Sequence, residues 1–219
     1  MIKKFQELII EWAKDNSISY PWRENRTPYK VLISEILLTR TKAKQVVPVY
    51  NRFMEKYPSI KEFLEADLDN IKNLIKSLGL LYRANKIIDL IDRLKINFNN
   101  KIPNKLKELK TLPGIGDYGA NAILCFGYNK KNPLIDSNFI RIFARVFNIH
   151  SKTKTAKTDK YLWEFSRNLL PEKDYVPLNY GILDLGGNIC ISRNPKCSVC
   201  FVNEICVYFR KIQSNNENK

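Results

Sequence analysis

The chain has 219 residues, of which 44% are hydrophobic and 27% charged. This composition is typical of a folded protein and excludes a wholly disordered chain. The low content of glycine and proline, 8 and 10 residues, also excludes a collagen-like or low-complexity protein. No run of eighteen apolar residues occurs, and the N-terminus lacks the apolar core of a signal peptide, so we expect a cytoplasmic protein without a membrane span.

The charge balance points to a polyanionic partner. Lysine and arginine number 37 against 22 aspartate and glutamate residues, which gives a net charge of +15. Folding does not require an excess of positive charge, because like charges repel one another, whereas nucleic acid attracts them. A lysine-rich surface that merely reflects biased composition is the alternative. An acidic membrane surface is disfavoured because no helix sets its lysines opposite a bulky apolar face. We therefore expect a DNA-binding, nucleoid-associated protein.

Apolar residues recur at helical spacing through most of the chain, and no sustained alternation of period two occurs, so the predicted class is all-α. The first helix is indicated by the apolar stripe of Ile2–Trp12. The next is predicted to begin at Thr27, an N-cap followed by Pro28 at the first helical position, and to end near Arg40.

A capping box at Ser59 and Glu62 indicates another helix start, and Gly79 is a stop signal. Further helices are predicted at about 71–78, 87–96, 106–109, 117–126, 136–147, 161–170 and 178–189. The polar stretch 213–219 is expected to be frayed.

Four of the five cysteines lie within seventeen residues, with the spacing C-x6-C-x2-C-x5-C. They are Cys190, Cys197, Cys200 and Cys206. Two disulfides would need an oxidising compartment, which nothing here indicates. Four thiolates suit a tetrahedral zinc ion, but zinc sites usually pair two C-x2-C knuckles and only one is present. A four-thiolate loop also suits a 4Fe-4S cluster. We predict a metal site, with iron–sulfur favoured over zinc.

A turn of sequence Leu-Pro-Gly-Ile-Gly occupies residues 112–116, between two predicted helices. Gly114 and Gly116 permit positive φ and a sharp reversal, and they expose backbone N–H groups. At the N-terminus of the next helix, such a nest can hold a phosphate. Glycine turns between helices are common, but the net charge of +15 favours the phosphate-binding interpretation.

Two carboxylates have contrasting predicted surroundings. Glu35 lies in a helix that is apolar almost all round, so it should be buried, either paired with a basic residue or as a desolvated acid of raised pKa. Asp136 follows an apolar pair and begins a helix, where an N-cap aspartate should stay ionised. Two carboxylates with opposed environments are the usual arrangement for cleaving a glycosidic bond.

Taken together, the cysteine loop, the 112–116 turn and the segment Leu134–Asn138 resemble the helix-hairpin-helix DNA glycosylases of the MutY and endonuclease III superfamily. The motifs Pro21-Trp22-Arg23, Pro28-Tyr29-Lys30 and Ser34-Glu35-Ile36-Leu37-Leu38 resemble the MutY branch. The resemblance implies a six-helix barrel domain over 24–135 and a 4Fe-4S cluster domain made of 1–23 and 136–219. It also implies a monomer that binds double-stranded DNA in the groove between the domains.

Differences between this chain and the typical motifs of the superfamily predict the branch to which it belongs. Bifunctional members of the superfamily have a nucleophilic lysine where this chain has Tyr118, so strand cleavage through a Schiff base is not expected. Adenine glycosylases typically have Gln-Gln at Thr39-Arg40, and a large C-terminal domain where only thirteen residues follow Cys206. We expect excision of thymine or uracil opposite guanine. The alternatives are an adenine glycosylase without its 8-oxoguanine-recognition domain and a catalytically silent DNA-binding module, which the retention of both carboxylates disfavours.

The resemblance also implies roles for single residues. Asp136 would stabilise an oxocarbenium-like sugar and position water, and Asn138 would orient that carboxylate. Glu35 would contact the base edge, or donate a proton if the base is adenine, and Tyr118 would line the pocket. The remaining expected contacts are Trp22 and Asp184 in the base pocket, Leu80 as the wedge, Arg40 opposite the orphan guanine, Gly114 and Gly116 at the phosphates, and Arg141 beside the cluster.

Overall fold

The computed structural model describes residues 1–79 and 81–217, and no β-strand occurs among them. The predicted all-α class is confirmed. The α-helices are α1 (Ile2–Asn16), α2 (Pro21–Glu24), α3 (Pro28–Leu38), α4 (Ala43–Lys56), α5 (Ile60–Leu64), α6 (Leu68–Ile75), α7 (Tyr82–Phe98), α8 (Leu106–Leu109), α9 (Asp117–Ala122), α10 (Ser137–Phe147), α11 (Lys160–Asn168), α12 (Tyr175–Asn188) and α13 (Val207–Glu217). A π-helix, Ile123–Gly127, continues α9, and short 3₁₀ turns cover Lys76–Leu78, Ala156–Thr158, Cys197–Val199 and Asn203–Ile205.

The two helix starts predicted from capping residues depend on local chemistry and are confirmed, whereas α6, α7 and α12 begin three to five residues earlier than predicted. The Thr27 hydroxyl accepts the N–H of Lys30 at 3.2 Å, and Ser59 forms the expected capping box with Glu62. The observed C-terminal ends of helices differ more from the predicted ends. Helix α3 ends at Leu38 rather than near residue 40, and α13 continues to Glu217 through most of the stretch predicted to be frayed.

Helix α4 is absent from the sequence-based prediction. Its buried residues Val46, Val49, Tyr50 and Phe53 follow the i, i+3, i+4, i+7 spacing that identifies an amphipathic helix. Pro48 lies within it, and a proline inside a helix removes one backbone hydrogen bond and normally signals a break. The apolar spacing was the signal available, and burial of that face outweighs the proline.

The chain divides into two compact units, residues 19–130 and residues 1–18 with 131–219. Each boundary lies five residues before the expected one, at 19 instead of 24 and at 131 instead of 136. Helix α2 packs on α3 and α4, with the Trp22 and Tyr50 rings edge to face at 5.4 Å, so it joins the first unit. The Leu134 carbonyl accepts the Ser166 hydroxyl at 2.9 Å, which places 131–135 in the second.

In the unit 19–130, α3 packs against α4, α9 and the π-helix. A Cβ at Gly127 would lie 2.8 Å from the Pro28 Cα, so the end of the π-helix meets the start of α3 only because that residue is glycine. The aromatic rings of Tyr29, Phe53 and Phe63 pack on one another between α3, α4 and α5. This packing sets the position of α3, which carries Glu35.

In the unit 1–18 with 131–219, α12 packs against α1 and α10, and α10 also packs against α13. Phe5 and Ile9 of α1 are fully buried, and burying each such side chain contributes about 1.5–3 kcal/mol. A Cβ at Gly181 would lie 2.5 Å from the Ile9 Cγ2, so α1 and α12 approach too closely for any other residue there. Across residues 1–79 and 81–217, no helix is both long and apolar enough to cross a membrane.

Candidate active site and cluster loop

The carboxylate of Asp136 is held by three hydrogen bonds at the start of α10. Its Oδ1 accepts the N–H groups of Asn138 at 2.8 Å and Phe139 at 2.9 Å. Its Oδ2 accepts the side-chain amide of Asn138 at 3.0 Å. The predicted N-cap is therefore confirmed, and both carboxylate oxygens have a defined orientation.

Two opposing influences act on the pKa of Asp136. Burial raises the pKa of this half-buried carboxyl above its ordinary value, while the bonds from Phe139 and Asn138 and the charge of Arg141 act in the opposite direction. Removal of water from the carboxylate therefore outweighs the donors at the helix N-terminus.

The guanidinium of Arg141 joins this carboxylate to the cysteine loop. Its Nη2 donates to the Asn138 Oδ1 at 2.8 Å and to the Gly186 carbonyl at 2.6 Å. Its Nε donates to the carbonyl of Cys190 at 2.7 Å. The expected place of Arg141 beside the cysteine loop is confirmed, and a continuous hydrogen-bonded path runs from Asp136 through Asn138 and Arg141 to Cys190.

Gly186 is a functional position that the sequence analysis did not identify. A Cβ there would lie 2.6 Å from the Asn138 Cβ and 2.9 Å from its Cγ, whereas a Cβ at Gly187 would meet nothing within 4 Å. Glycine inside a helix costs about 1 kcal/mol relative to alanine, so the pair Gly186-Gly187 within α12 was the available signal. Gly186 leaves the space in which Asn138 orients the carboxylate.

The four cysteines of the loop are free thiols and line one pocket. Within the described residues, no three His, Cys, Asp or Glu side chains are placed to hold a single metal ion. A lone zinc ion needs its sulfur ligands about 2.3 Å from one point, whereas a cavity shared by four thiols suits a larger inorganic cluster. The donor set therefore fits a 4Fe-4S cluster.

The surroundings of the thiols affect how such a cluster is bound. Burial raises the pKa of Cys200 to about 11 and also raises the pKa values of Cys197 and Cys206. These thiols would therefore have to lose their protons to hold the cluster, because only the thiolate is a ligand.

Arg145, which the sequence analysis missed, supports the same loop. Its Nη1 lies 3.5 Å from the Cys190 sulfur and donates to the Ile191 carbonyl at 2.7 Å. Its guanidinium also lies over the Tyr208 ring, 5.1 Å from the ring centre. The available signal was its position one helical turn after Arg141 on α10.

The other predicted carboxylate, Glu35, lies in the unit 19–130. Residues 31–37 of α3 are buried except for Glu35, which is half-buried. The prediction that Glu35 is buried is therefore wrong, because its side chain is partly exposed although the other residues of 31–37 are buried. Tyr118, also half-buried, lies on α9, which packs on α3.

The predicted hairpin is a tight turn closed by the Ile115 N–H, which donates to the Leu112 carbonyl at 3.1 Å. Leu112 and Ile115 are buried and anchor it, whereas Gly114 and Gly116 are exposed. Only Gly114 has positive φ, at 84°; Gly116 has φ −95° and forms the N-cap of α9. The exposed glycines leave backbone N–H groups accessible to a phosphate.

The remaining predicted positions have mixed surroundings. Trp22 is 5% exposed and stacks on Tyr20 with ring centres 4.8 Å apart. Asp184 is 3% exposed, and its Oδ2 accepts the Ile18 N–H at 3.2 Å. Both side chains thus contribute to the packing of their own units. Arg40 is exposed with φ 55°, and Leu80 lies outside the described residues.

Comparison with known proteins defines the class. The model of the HhH-GPD superfamily of base excision DNA repair proteins matches residues 33–168. The model of the iron–sulfur binding domain of endonuclease III matches residues 190–206. The chain belongs to the HhH-GPD superfamily: it is a DNA glycosylase with a 4Fe-4S cluster as cofactor and DNA as substrate.

Individual relatives show which DNA glycosylases this chain resembles. The chain is 38% identical to the thymine/uracil-DNA glycosylase of Pyrobaculum aerophilum, over 95% of this chain and 93% of that protein. It is 35% identical to the adenine DNA glycosylase of Buchnera aphidicola, over 92% of this chain and 57% of that one. The structure of a thermostable thymine-DNA glycosylase superposes with a TM-score of 0.89 at 33% identity, covering 96% of this chain and 97% of that chain. The predicted helix-hairpin-helix glycosylase fold is confirmed.

Proposed function

We propose that this protein is a monofunctional DNA glycosylase that removes thymine or uracil opposite guanine from double-stranded DNA. The observation that carries the substrate assignment is the similarity to the thermostable thymine-DNA glycosylase, at a TM-score of 0.89 over 96% of the chain. The protein acts as a monomer on genomic DNA at the nucleoid.

Asp136 supplies the negative charge that the reaction needs. As the N-glycosidic bond breaks, positive charge develops on the sugar, and a carboxylate with both oxygens already oriented stabilises it without rearrangement. The donors from Asn138 and Phe139 hold that orientation. The same carboxylate positions the attacking water, and the mismatch lowers the cost of taking the base out of the stack.

The other roles follow the same assignment. Glu35 of α3 contacts the edge of the flipped base, and Tyr118 lines the base pocket. Tyr118 offers no amine, so no Schiff base forms and the abasic strand stays intact. The DNA contacts are Leu80 as the wedge, Arg40 in the gap opposite the orphan guanine, and Gly114 and Gly116 at the phosphates. The cluster ligands are Cys190, Cys197, Cys200 and Cys206.

A second candidate function is adenine excision, favoured by the 35% identity to an adenine DNA glycosylase over 92% of the chain. One assay separates the two. Enzyme in excess is incubated with duplexes that contain T·G, U·G, T·A or A·8-oxoguanine, and alkali then cuts every abasic site. We expect cleavage with T·G and U·G alone. Release from only the A·8-oxoguanine duplex would establish the second candidate instead.

The monofunctional assignment has its own test. Without alkali the strand should stay intact, and borohydride should trap no covalent protein–DNA adduct. Strand nicking with trapping by the wild-type protein contradicts the assignment. Tyr118→Lys is the informative variant, because a lysine beside the sugar can form a Schiff base, and trapping by this variant alone would locate residue 118 at the reacting sugar.

A further inference from the structure

A buried arginine holds the turn that follows α3. Arg83 lies in the first turn of α7 and is 3% exposed. Its Nη1 donates to the Leu37 carbonyl at 3.0 Å. Its Nη2 donates to the Thr41 hydroxyl at 2.9 Å and also to the Thr39 carbonyl. One guanidinium therefore binds three acceptors within five residues of chain.

The turn at residues 39–41 has a backbone conformation that contacts from other residues must stabilise. Arg40 has φ 55°, in the left-handed region that is unfavourable for a residue with a Cβ. Within the turn, the Thr41 N–H donates to the Leu38 carbonyl at 3.1 Å. Such a conformation persists where the surrounding contacts over-determine it, and Arg83 supplies contacts on both sides of Arg40.

The turn also borders a cleft. Thr39 and Arg83 line this cleft together with Lys86 and with Pro113 and Gly114 of the hairpin. The Arg40 side chain is exposed at this turn. A change in the turn would therefore move Arg40 relative to the hairpin, whose exposed N–H groups are the expected phosphate contact.

We propose that Arg83 is a positioning residue for recognition of the opposite base: by holding the 39–41 turn, it presents Arg40 to the guanine left unpaired when the mismatched base is flipped. The inference rests on the role proposed above for Arg40. Lysine cannot replace Arg83, because a single ammonium cannot bind three acceptors arranged around a planar fork.

The first measurement needs no DNA. Hydrogen–deuterium exchange of the Thr41 amide, which the Leu38 carbonyl protects, reports directly on the turn. In Arg83→Lys we expect exchange at this amide to be about tenfold faster, as expected when a charged hydrogen bond is lost. Arg93→Lys is the matched control, since Arg93 is exposed on the same helix, and it should leave the exchange unchanged.

The second measurement is binding to duplexes with a tetrahydrofuran abasic analogue opposite guanine or adenine. Wild-type protein should bind the guanine duplex more tightly. Arg40→Ala and Arg83→Lys should each reduce the ratio of the two Kd values about tenfold, the effect of one charged hydrogen bond. The double variant should show no further loss, because residues that act through one contact are not additive.

Two results would overturn the proposal. One is a ratio of the two Kd values in Arg83→Lys that equals the ratio in the wild type. The other is a reduction of this ratio in the double variant equal to the product of the reductions in the single variants. If Arg83→Lys does not fold, Thr41→Val removes one acceptor without touching the buried charge and should reduce the ratio about threefold. The analogue cannot be excised, so these results are independent of the excision assay that tests the proposed function.

Discussion

Two arginines of this protein bind backbone carbonyls in similar ways but in different surroundings. Arg83 takes all its acceptors from one segment, residues 37–41. Arg141 takes its acceptors from three: the first turn of α10, Gly186 in α12 and Cys190 in the cysteine loop. The first arginine stabilises a local turn, whereas the second ties distant parts of the chain together.

This difference determines how far a disturbance spreads. Loss of Arg83 should alter the 39–41 turn and the position of the Arg40 side chain. The Arg141 path ends at the Asp136 carboxylate on one side and at a cluster cysteine on the other. A change at any point along it should therefore reach the catalytic group, with an effect that depends on the distance from Asp136.

The largest effect is expected at Asp136 itself. Asp136→Asn removes the charge that stabilises the developing positive sugar, so base release should slow by about 100-fold or more. Ground-state DNA affinity should be kept or improved, because a negative charge near phosphates is lost. Single-turnover rates and Kd values for the same mismatched duplex measure both effects. Full activity of this variant would show that the active site lies elsewhere.

The raised pKa of Asp136 gives this prediction a pH dependence. The rate of base release needs the carboxylate, so its acid limb should lie above the ordinary aspartate pKa of about 3.9. Because the folded pKa is raised, the stabilisation by the protonated form is complete below the unfolded pKa and is lost as pH rises through the folded pKa. The Tm of Asp136→Asn minus that of the wild type should therefore increase between pH 4 and 7, whereas a constant difference would mean no raised pKa.

The sequence predicts those features of the site that depend on nearby residues. Asp136 was recognised as an N-cap because capping involves only the next three residues. The clash that excludes a side chain at Gly186 involves Asn138, which is distant in the chain, so the glycine pair of α12 signals a close approach but does not identify its partner. The raised pKa of Asp136 could not be predicted for the same reason, since desolvation depends on which distant elements cover the carboxyl.

A smaller effect is expected at the cluster end of the path. Arg145→Ala removes a cation near the Cys190 sulfur together with its bond to the Ile191 carbonyl. Loss of such a supporting contact typically weakens metal binding by about 10- to 100-fold. We expect iron to leave this variant faster in the presence of a chelator, followed as loss of broad absorption near ~400 nm, the signature expected of a 4Fe-4S cluster.

The control for that experiment is Arg167→Ala, which changes an exposed arginine in the same unit and should retain iron like the wild type. Equal iron loss from both variants would mean that Arg145 has no specific role at the loop. Base release by Arg145→Ala with the cluster still bound should be reduced by less than tenfold, because Arg141 keeps its own bond to Cys190.

An effect on the rate smaller than that at Asp136 is expected at two adjacent glycines of α12, which differ in what a Cβ would meet. Gly186→Ala places a methyl group 2.6 Å from the Asn138 Cβ, so Asn138 must move and its bond to Asp136 must weaken. Loss of one hydrogen bond to a charged group corresponds to a rate reduction of about tenfold. Gly187→Ala meets nothing within 4 Å and should keep the wild-type rate, with a slightly higher Tm because alanine favours helix. Equal rates for the two variants would show that the orientation of Asn138 does not limit base release, and that the carboxylate is held well enough by the two backbone N–H groups alone.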